Sequence, residues 1–392
     1  MQSATQDAQQ LTAATPIAEA SGRLLSLDVF RGMAVLLMLL VNNPGDWNHY
    51  VTPFKHVAWN GCRAADLVYP AFLFIVGVSL VYALGSVRNQ PERHTNAMLR
   101  VGRRAVTICL IGLLISLLPH FYFTSFRIPG VLQRIAVVYL VCSLLFLKTT
   151  WRTQAWLTVG ILLLYSVLLQ VVPVPGIGPA NLEPSTNLGA WLDRLVFGKS
   201  HLFDDQKAWD PEGLLSTLPA IGTGLLGMLT ARWLRRRTVD AATKVAWLFV
   251  AGGAGIVLGM IWNGWFPINK NLWTSSFVLY VGGISIVVLA ALYWLCDVQG
   301  YRGAWTKIFL VCGVNALPVF FFTEALERLW TRLKMHNAAG EKVYPRDWLY
   351  DTFFVPTFSN PYHASLAWAL LYTAICVAIL WVSYRRHIII KV

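Results

Sequence analysis

Long apolar runs alternate with short polar segments along this chain, and the alternation predicts its architecture. The runs fall at about 28–43, 66–85, 104–122, 131–147, 156–173, 213–231, 245–262, 275–295, 308–326 and 363–384. Each approaches the roughly 20 residues that a helix needs to cross a bilayer. The expected fold class is therefore all-α: a polytopic integral membrane bundle of about ten transmembrane helices, with the lipid bilayer as its first partner. Residues 1–22 are rich in Ala, Thr, Gln and Ser, with no basic region leading into an apolar core. They predict a disordered tail rather than a cleaved signal peptide. Residues 23–392 read as a single transmembrane domain.

Composition and charge narrow the class. The chain is 56% hydrophobic and 13% charged, against roughly 25% charged in soluble domains, which excludes an ordinary soluble fold. A formal net charge of +13 invites a nucleic-acid reading, but the Lys and Arg residues do not gather on one arm or face. They collect in alternate loops, among them Arg100, Arg103 and Arg104, then Arg235, Arg236 and Arg237, then Arg385 and Arg386. Orientation in a membrane explains that pattern without nucleic acid, and places both termini in the cytoplasm. The six cysteines show no CxxC spacing and read as small packing residues, so neither a disulfide framework nor a metal site is expected. Gly222, Gly224 and Gly227, like Gly255 and Gly259, predict close helix packing. Asn315 with Pro318 predicts a kink in the ninth span. No internal repeat of the kind that marks many transporters is visible.

The candidate chemistry lies in the polar segments. Between the first two spans stands Phe54-Lys55-His56-Val57-Ala58-Trp59-Asn60-Gly61, closed by Asp66-Leu67-Val68-Tyr69-Pro70. An imidazole is the side chain best suited to moving protons near neutral pH. Trp59 offers a flat wall for a sugar or an adenine ring, while Asn60 and Asn42 offer amide donors where an oxyanion develops. The plainer alternative is an interfacial histidine that satisfies a loop carbonyl. Asp28 and Arg31 share one face of the first span, as an edge ion pair or as a phosphate-recognising group. Gln133 and Arg134 open the fourth span, where a guanidinium needs either a carboxylate such as Asp66 or Glu324, or a wet cavity. Asp210, Glu212, Asn269 and Lys270 stand at helix entrances, as caps or as rim residues. With both termini inside, Asn42, His56, Arg134, Asp210, Glu212, Asn269, Lys270 and Glu324 converge on the outer side.

The segments Arg23-Leu24-Leu25-Ser26-Leu27-Asp28-Val29-Phe30-Arg31-Gly32, Val41-Asn42-Asn43, 54–61 and 65–70 together resemble the heparan-α-glucosaminide N-acetyltransferase family and its bacterial relatives. Gly130-Val131-Leu132-Gln133-Arg134, the stretch from Asp210 to Pro219 and the stretch from Pro267 to Ser276 extend the resemblance. It implies an integral membrane enzyme, a homodimer of the bacterial inner membrane, that moves an acetyl group from cytosolic acetyl-CoA to a glucosamine-type amine on the far side. His56 matches the family's catalytic histidine and Asn42 its acetyl-site asparagine. On this reading acetyl-CoA meets Asp28, Arg31, Gln133 and Arg134. The amino sugar or glycan meets Trp59, Asn60, Asp66, Asp210, Asn269 and Lys270. His56 is expected as general base or acetyl carrier. The rival expectations are an N-acetylglucosamine permease and an O-acetyltransferase acting on a surface glycan.

Overall fold

A computed structural model describes residues 24–203, 207–330, 332–336 and 341–388; the expected tail, 1–22, lies outside the described residues. The described chain is helical almost throughout. In order come α1 (Leu25–Asn42), α2 (Ala64–Leu84), α3 (His94–Leu117), α4 (Val131–Lys148), α5 (Trp151–Val171) and the short α6 (Leu188–Phe197). There follow α7 (Thr217–Leu234), α8 (Ala241–Trp262), α9 (Ser275–Leu292) with a π-helical continuation (Tyr293–Val298), α10 (Ala304–Val314), α11 (Ala316–Trp330), α12 (Pro345–Phe353) and α13 (Pro361–Arg385). One small antiparallel hairpin pairs β1 (Met335–His336) with β2 (Lys342–Val343).

Among the described residues, seven helices are long and apolar enough to cross a membrane: α1, α2, α4, α5, α8, α9 and α13. The pair α10 and α11, bent by 70°, makes an eighth if it forms one broken span. The two remaining expected spans are helices as well, α3 and α7, but fall outside that set. The first half of α3 carries Arg100, Arg103 and Arg104. Helix α7 is rich in Gly and Thr and is buried along most of its length. A helix enclosed by other helices needs close approach more than it needs apolar side chains.

Helix α7 forms the centre, packed on α2, α4, α5 and α9, while α1 lies against α2, α9, α10 and α13. A Cβ at Gly77 would lie 2.0 Å from the Gly224 carbonyl oxygen, and one at Gly227 would lie 2.1 Å from that of Phe74. Only glycine permits this contact. Leu73, Phe74 and Val78 of α2 are fully buried there with Leu225 and Met228 of α7 and Phe277 and Val278 of α9. On the flank, Gly255 and Gly259 bring α8 against the backbone of α9 at Gly283 and Tyr280. The glycine pattern thus does the packing work expected of it.

The break between α10 and α11 falls at Asn315, whose φ of −114° and ψ of 41° leave the helix. Its side-chain amide donates to the Ile388 carbonyl at 3.0 Å. Pro318 sits in the first turn of α11, where a missing N–H costs nothing. The kink is therefore set by Asn315.

Contacts between helix ends divide the bundle into two poles. At one, the N-termini of α2, α4, α7, α9 and α13 meet the end of α1: Gly61 N–H donates to Ile268 O at 2.7 Å and Gly45 N–H to Ser365 O at 3.3 Å. At the other, Asp297 accepts from the amides of Leu25 and Ser26 at 3.0 Å each, capping α1 from a neighbouring element. There too Arg235 donates to Val81 O and Arg88 to Thr149 O, both at 2.8 Å.

Candidate active site

The first pole is built from two loops stapled together. The segment before α2 and the segment before α9 meet through Gly61, whose positive φ of 111° suits a residue without Cβ. Asn269 then fixes the second loop from within. Its N–H donates to Thr274 Oγ1 at 3.0 Å, its Oδ1 accepts from Leu272 N–H at 2.9 Å, and its Nδ2 donates to Asn60 Oδ1 at 3.1 Å. Trp273 adopts a φ of 53°, a sparsely populated region for a bulky residue. The surroundings hold it there: its indole N–H donates to Thr223 Oγ1 at 3.1 Å and its ring packs edge-on against Tyr69.

His56 lies where these loops meet. Its Nδ1 is 2.8 Å from Asp66 Oδ1 and 3.1 Å from Lys270 Nζ, and Lys270 Nζ is 3.5 Å from the same carboxylate oxygen. A carboxylate only accepts, so at the shorter distance the Nδ1 proton points at Asp66. Lys270 then serves as the counter-charge of Asp66, and Nε2 keeps its lone pair. Asp66 is buried and its second oxygen accepts from the amides of Arg63 (3.0 Å) and Val57 (3.3 Å). The carboxylate is thus fixed on three sides. The His56 side chain itself is 38% exposed, so it is reachable from outside. Arg63 donates from Nη1 to the His56 carbonyl at 3.4 Å. Burial pushes the neighbouring Cys62 thiol up to about 12, with the Asp66 charge adding to the effect. Cys62 therefore stays a neutral thiol near pH 7 and is no rival nucleophile.

Trp59 stands beside this group, its indole N–H donating to Leu182 O at 3.0 Å and its ring meeting Trp209 edge-on at 5.1 Å. The structure therefore brings together His56, Trp59, Asn60, Asp66, Asn269 and Lys270. Asn42 is elsewhere at the same pole: it lines a small cavity with Thr323, Glu324 and Glu327, and no hydrogen bond joins it to His56 among the described residues. Asp210 is occupied. Its two oxygens accept from Arg127 at 2.9 and 2.6 Å, and also from the amides of Phe203 and Glu212 at 2.9 Å each.

Arg134 reaches neither Asp66 nor Glu324. It is 2% exposed, lies under the Trp273 ring at 5.1 Å from the centroid, and donates to Gly213 O at 3.2 Å and to Ser216 Oγ. Gln133 donates to Ile128 O at 3.0 Å and steadies the turn before α4. Asp28 and Arg31 pair at 3.0 Å, and Arg31 also reaches Ser79 Oγ at 2.9 Å. They lie near the opposite end of α1.

Three participants escaped the sequence reading. Arg127 ties the turn before α4 to Asp210 and Glu212, Trp209 backs Trp59, and Asp193 of α6 is 2% exposed, accepting from Leu214 N–H at 2.8 Å. Burial pushes Asp193 up to about 7, with the Asp210 charge adding to it against the pull of the Leu214 amide. The length of the loop between the fifth and sixth spans was the one available signal, since long loops tend to carry function.

A bundle of membrane-crossing helices with an imidazole–carboxylate pair set at one pole, outside the apolar core, defines a multi-pass membrane protein. A family model described as "Heparan-alpha-glucosaminide N-acetyltransferase, catalytic" matches residues 23–256, more than half of the chain, and the chain belongs to that family. Heparan-alpha-glucosaminide N-acetyltransferase of Homo sapiens is 29% identical over 94% of this chain and 60% of its own length. The Mus musculus protein of the same name is 32% identical over 78% of this chain and 54% of its own. The chain thus spans a little over half the length of these curated relatives.

Proposed function

We propose that this protein is a membrane acetyltransferase that moves an acetyl group from acetyl-CoA to the amine of a glucosamine-type sugar, with His56 as the proton acceptor. The observation that carries this reading is the His56–Asp66 pair, which orients an exposed imidazole and leaves its Nε2 lone pair free. An ammonium cannot attack a thioester, so a base must take its proton. In the step, the ammonium first gives one proton to solvent; the neutral nitrogen then bonds to the acetyl carbon, and its N–H proton passes to His56 Nε2. The carbon–sulfur bond breaks, and the departing thiolate takes a proton from the imidazolium. Asp66 stabilises the imidazolium as it forms. Lys270 and the amide of Asn60 stand on the same rim as donors for the oxyanion, a contribution commonly worth about 3 kcal/mol per donor. Trp59, backed by Trp209, offers a stacking face for the sugar ring.

Basic residues at the opposite pole support placing that pole in the cytoplasm, with His56 on the far side; the bacterial inner membrane rests on the family resemblance. The donor then enters from the basic pole, past Arg31. Homodimerisation rests on the family resemblance.

The permease shares the polar pole but not the need for a base; the O-acetyltransferase needs one too and differs in the bond it forms. The test is to incubate the purified protein with labelled acetyl-CoA and glucosamine and to identify the bond in the product. Amide-linked label supports the proposal. Ester-linked label on a glycan supports the O-acetyltransferase, and sugar uptake without acetyl transfer supports the permease.

A further inference from the structure

At the pole opposite His56 lies a second cluster that the acetyl-transfer reading does not use. Arg88 follows α2 and Arg232 stands in the last turn of α7, and both guanidinium groups lie against one ring. Their carbon atoms are 4.9 and 5.0 Å from the centroid of Phe146, a buried residue of α4. Arg88 donates once, from Nη2 to Thr149 O at 2.8 Å. Its Nη1, together with Nε and Nη2 of Arg232, is buried and has no hydrogen-bond partner. Among the described residues, no carboxylate forms a salt bridge with either arginine. Burial pulls the Arg88 pKa down and no acid offsets it.

Two like charges sharing one aromatic ring, with three buried donors unspent, is a costly arrangement in the absence of an anion. An aromatic face compensates a cation only in part. The donors come from two different helix ends, and their forked geometry suits a tetrahedral oxyanion with several acceptors. Eighteen residues of α2 separate Asp66 from Leu84, so this cluster lies about 27 Å from the histidine site along that helix. It is not part of the proton-transfer machinery.

We propose that Arg88 and Arg232, braced by Phe146, form a phosphate-binding site at the basic pole. The ligand class is a phosphate ester, supplied either by the nucleotide end of coenzyme A or by the headgroup of an anionic lipid. With coenzyme A as the source the assignment rests on the acetyl-transfer reading and with lipid it does not; the phosphate titration reads binding rather than turnover in either case.

Thermal unfolding of the purified full chain in detergent tests the site, with sodium phosphate compared against sodium chloride of equal ionic strength. Phosphate is expected to raise Tm beyond chloride. Arg88→Gln and Arg232→Gln are each expected to weaken that dependence by about tenfold or more, while Arg237→Gln in the exposed turn leaves it unchanged. Protection by coenzyme A exceeding that by its dephospho form assigns the site to the donor. Protection in phosphatidylglycerol nanodiscs exceeding that in phosphatidylcholine assigns it to lipid. Equal Tm for the wild type in phosphate and chloride overturns the proposal without any variant, as does undiminished protection in both Gln variants. If either Gln variant fails to fold, Arg88→Lys and Arg232→Lys keep the charge but lose the fork, and the same weakening is expected of them.

Discussion

His56 gains its chemical meaning from Asp66. The carboxylate fixes the Nδ1 proton, so Asp66→Asn preserves the shape of the site but lets the ring turn and take the wrong tautomer. Acetyl transfer by that variant is expected to fall by about a hundredfold or more, with the fall in kcat rather than in the binding of acetyl-CoA. A steady-state kinetic comparison with wild type checks this. Asp193 supplies a different test, of stability. Its folded pKa of about 7 lies above the ordinary carboxylate value, so the folded state holds the proton more tightly than the unfolded one. The stability from this group is full below about pH 4 and is lost as pH rises through about 7, amounting to roughly 4 kcal/mol across that window. The wild-type Tm is therefore expected to drop more steeply between pH 4 and 7 than that of Asp193→Asn. Unfolding followed over the two pH series decides it. His56 itself was legible in the sequence, because a titratable ring in a short polar segment between two apolar runs stands out. Its partnership with Asp66 was not. The two are ten residues apart across an irregular loop, and without a helical or strand period nothing indicates which side chains meet.

Among elements, the contact of α2 with α7 carries the bundle. Gly77 and Gly227 each present no side chain to a carbonyl oxygen about 2 Å from where Cβ would be. Neither helix can retreat without opening the core around Phe74 and Met228. Gly227→Val is expected to be strongly destabilising, lowering the Tm by ten degrees or more or preventing recovery of folded protein; a Tm near wild type would show that the helices separate easily. A second structural device is the ion pair of Arg127 with Asp210 and Glu212, which ties the turn before α4 to the turn before α7. Asp210→Ala removes two of the bonds to Arg127 and leaves Glu212 as its remaining carboxylate partner, and is expected to cost about 1 to 3 kcal/mol, measured as loss of Tm with the acetyl-CoA KM little changed. Apolar periodicity disclosed every spanning element, including the glycine faces. It gave α3 and α7 the same weight as the other helices: α7 because hydropathy reports burial without saying whether lipid or protein does the burying, and α3 because an apolar second half follows the arginines of its first. Asn42 shows the same limit. Its place at the end of α1 was evident, but the rotation that turns it toward Thr323 and Glu324 depends on how α11 bends at Asn315, which is tertiary information.

For the whole molecule, polarity is the organising feature: one pole carries the histidine site and the other a crowd of arginines. The convergence of His56, Asn269, Lys270, Asp210 and Arg134 at one end was legible from loop charge alone, since an orientation that places basic loops inside fixes the end at which every other loop emerges. Their mutual distances were not. Cysteine substitutions at Asn271 and Arg237, in a variant with its native cysteines replaced, are expected to react with an impermeant thiol reagent from opposite sides of the membrane. The most direct test of the central claim is the rate of labelled acetyl transfer from acetyl-CoA to glucosamine by wild type and by His56→Ala, each purified and shown to be folded. The account predicts amide-linked label with wild type and at least a thousandfold loss in the variant. Transfer by His56→Ala at an undiminished rate would contradict it.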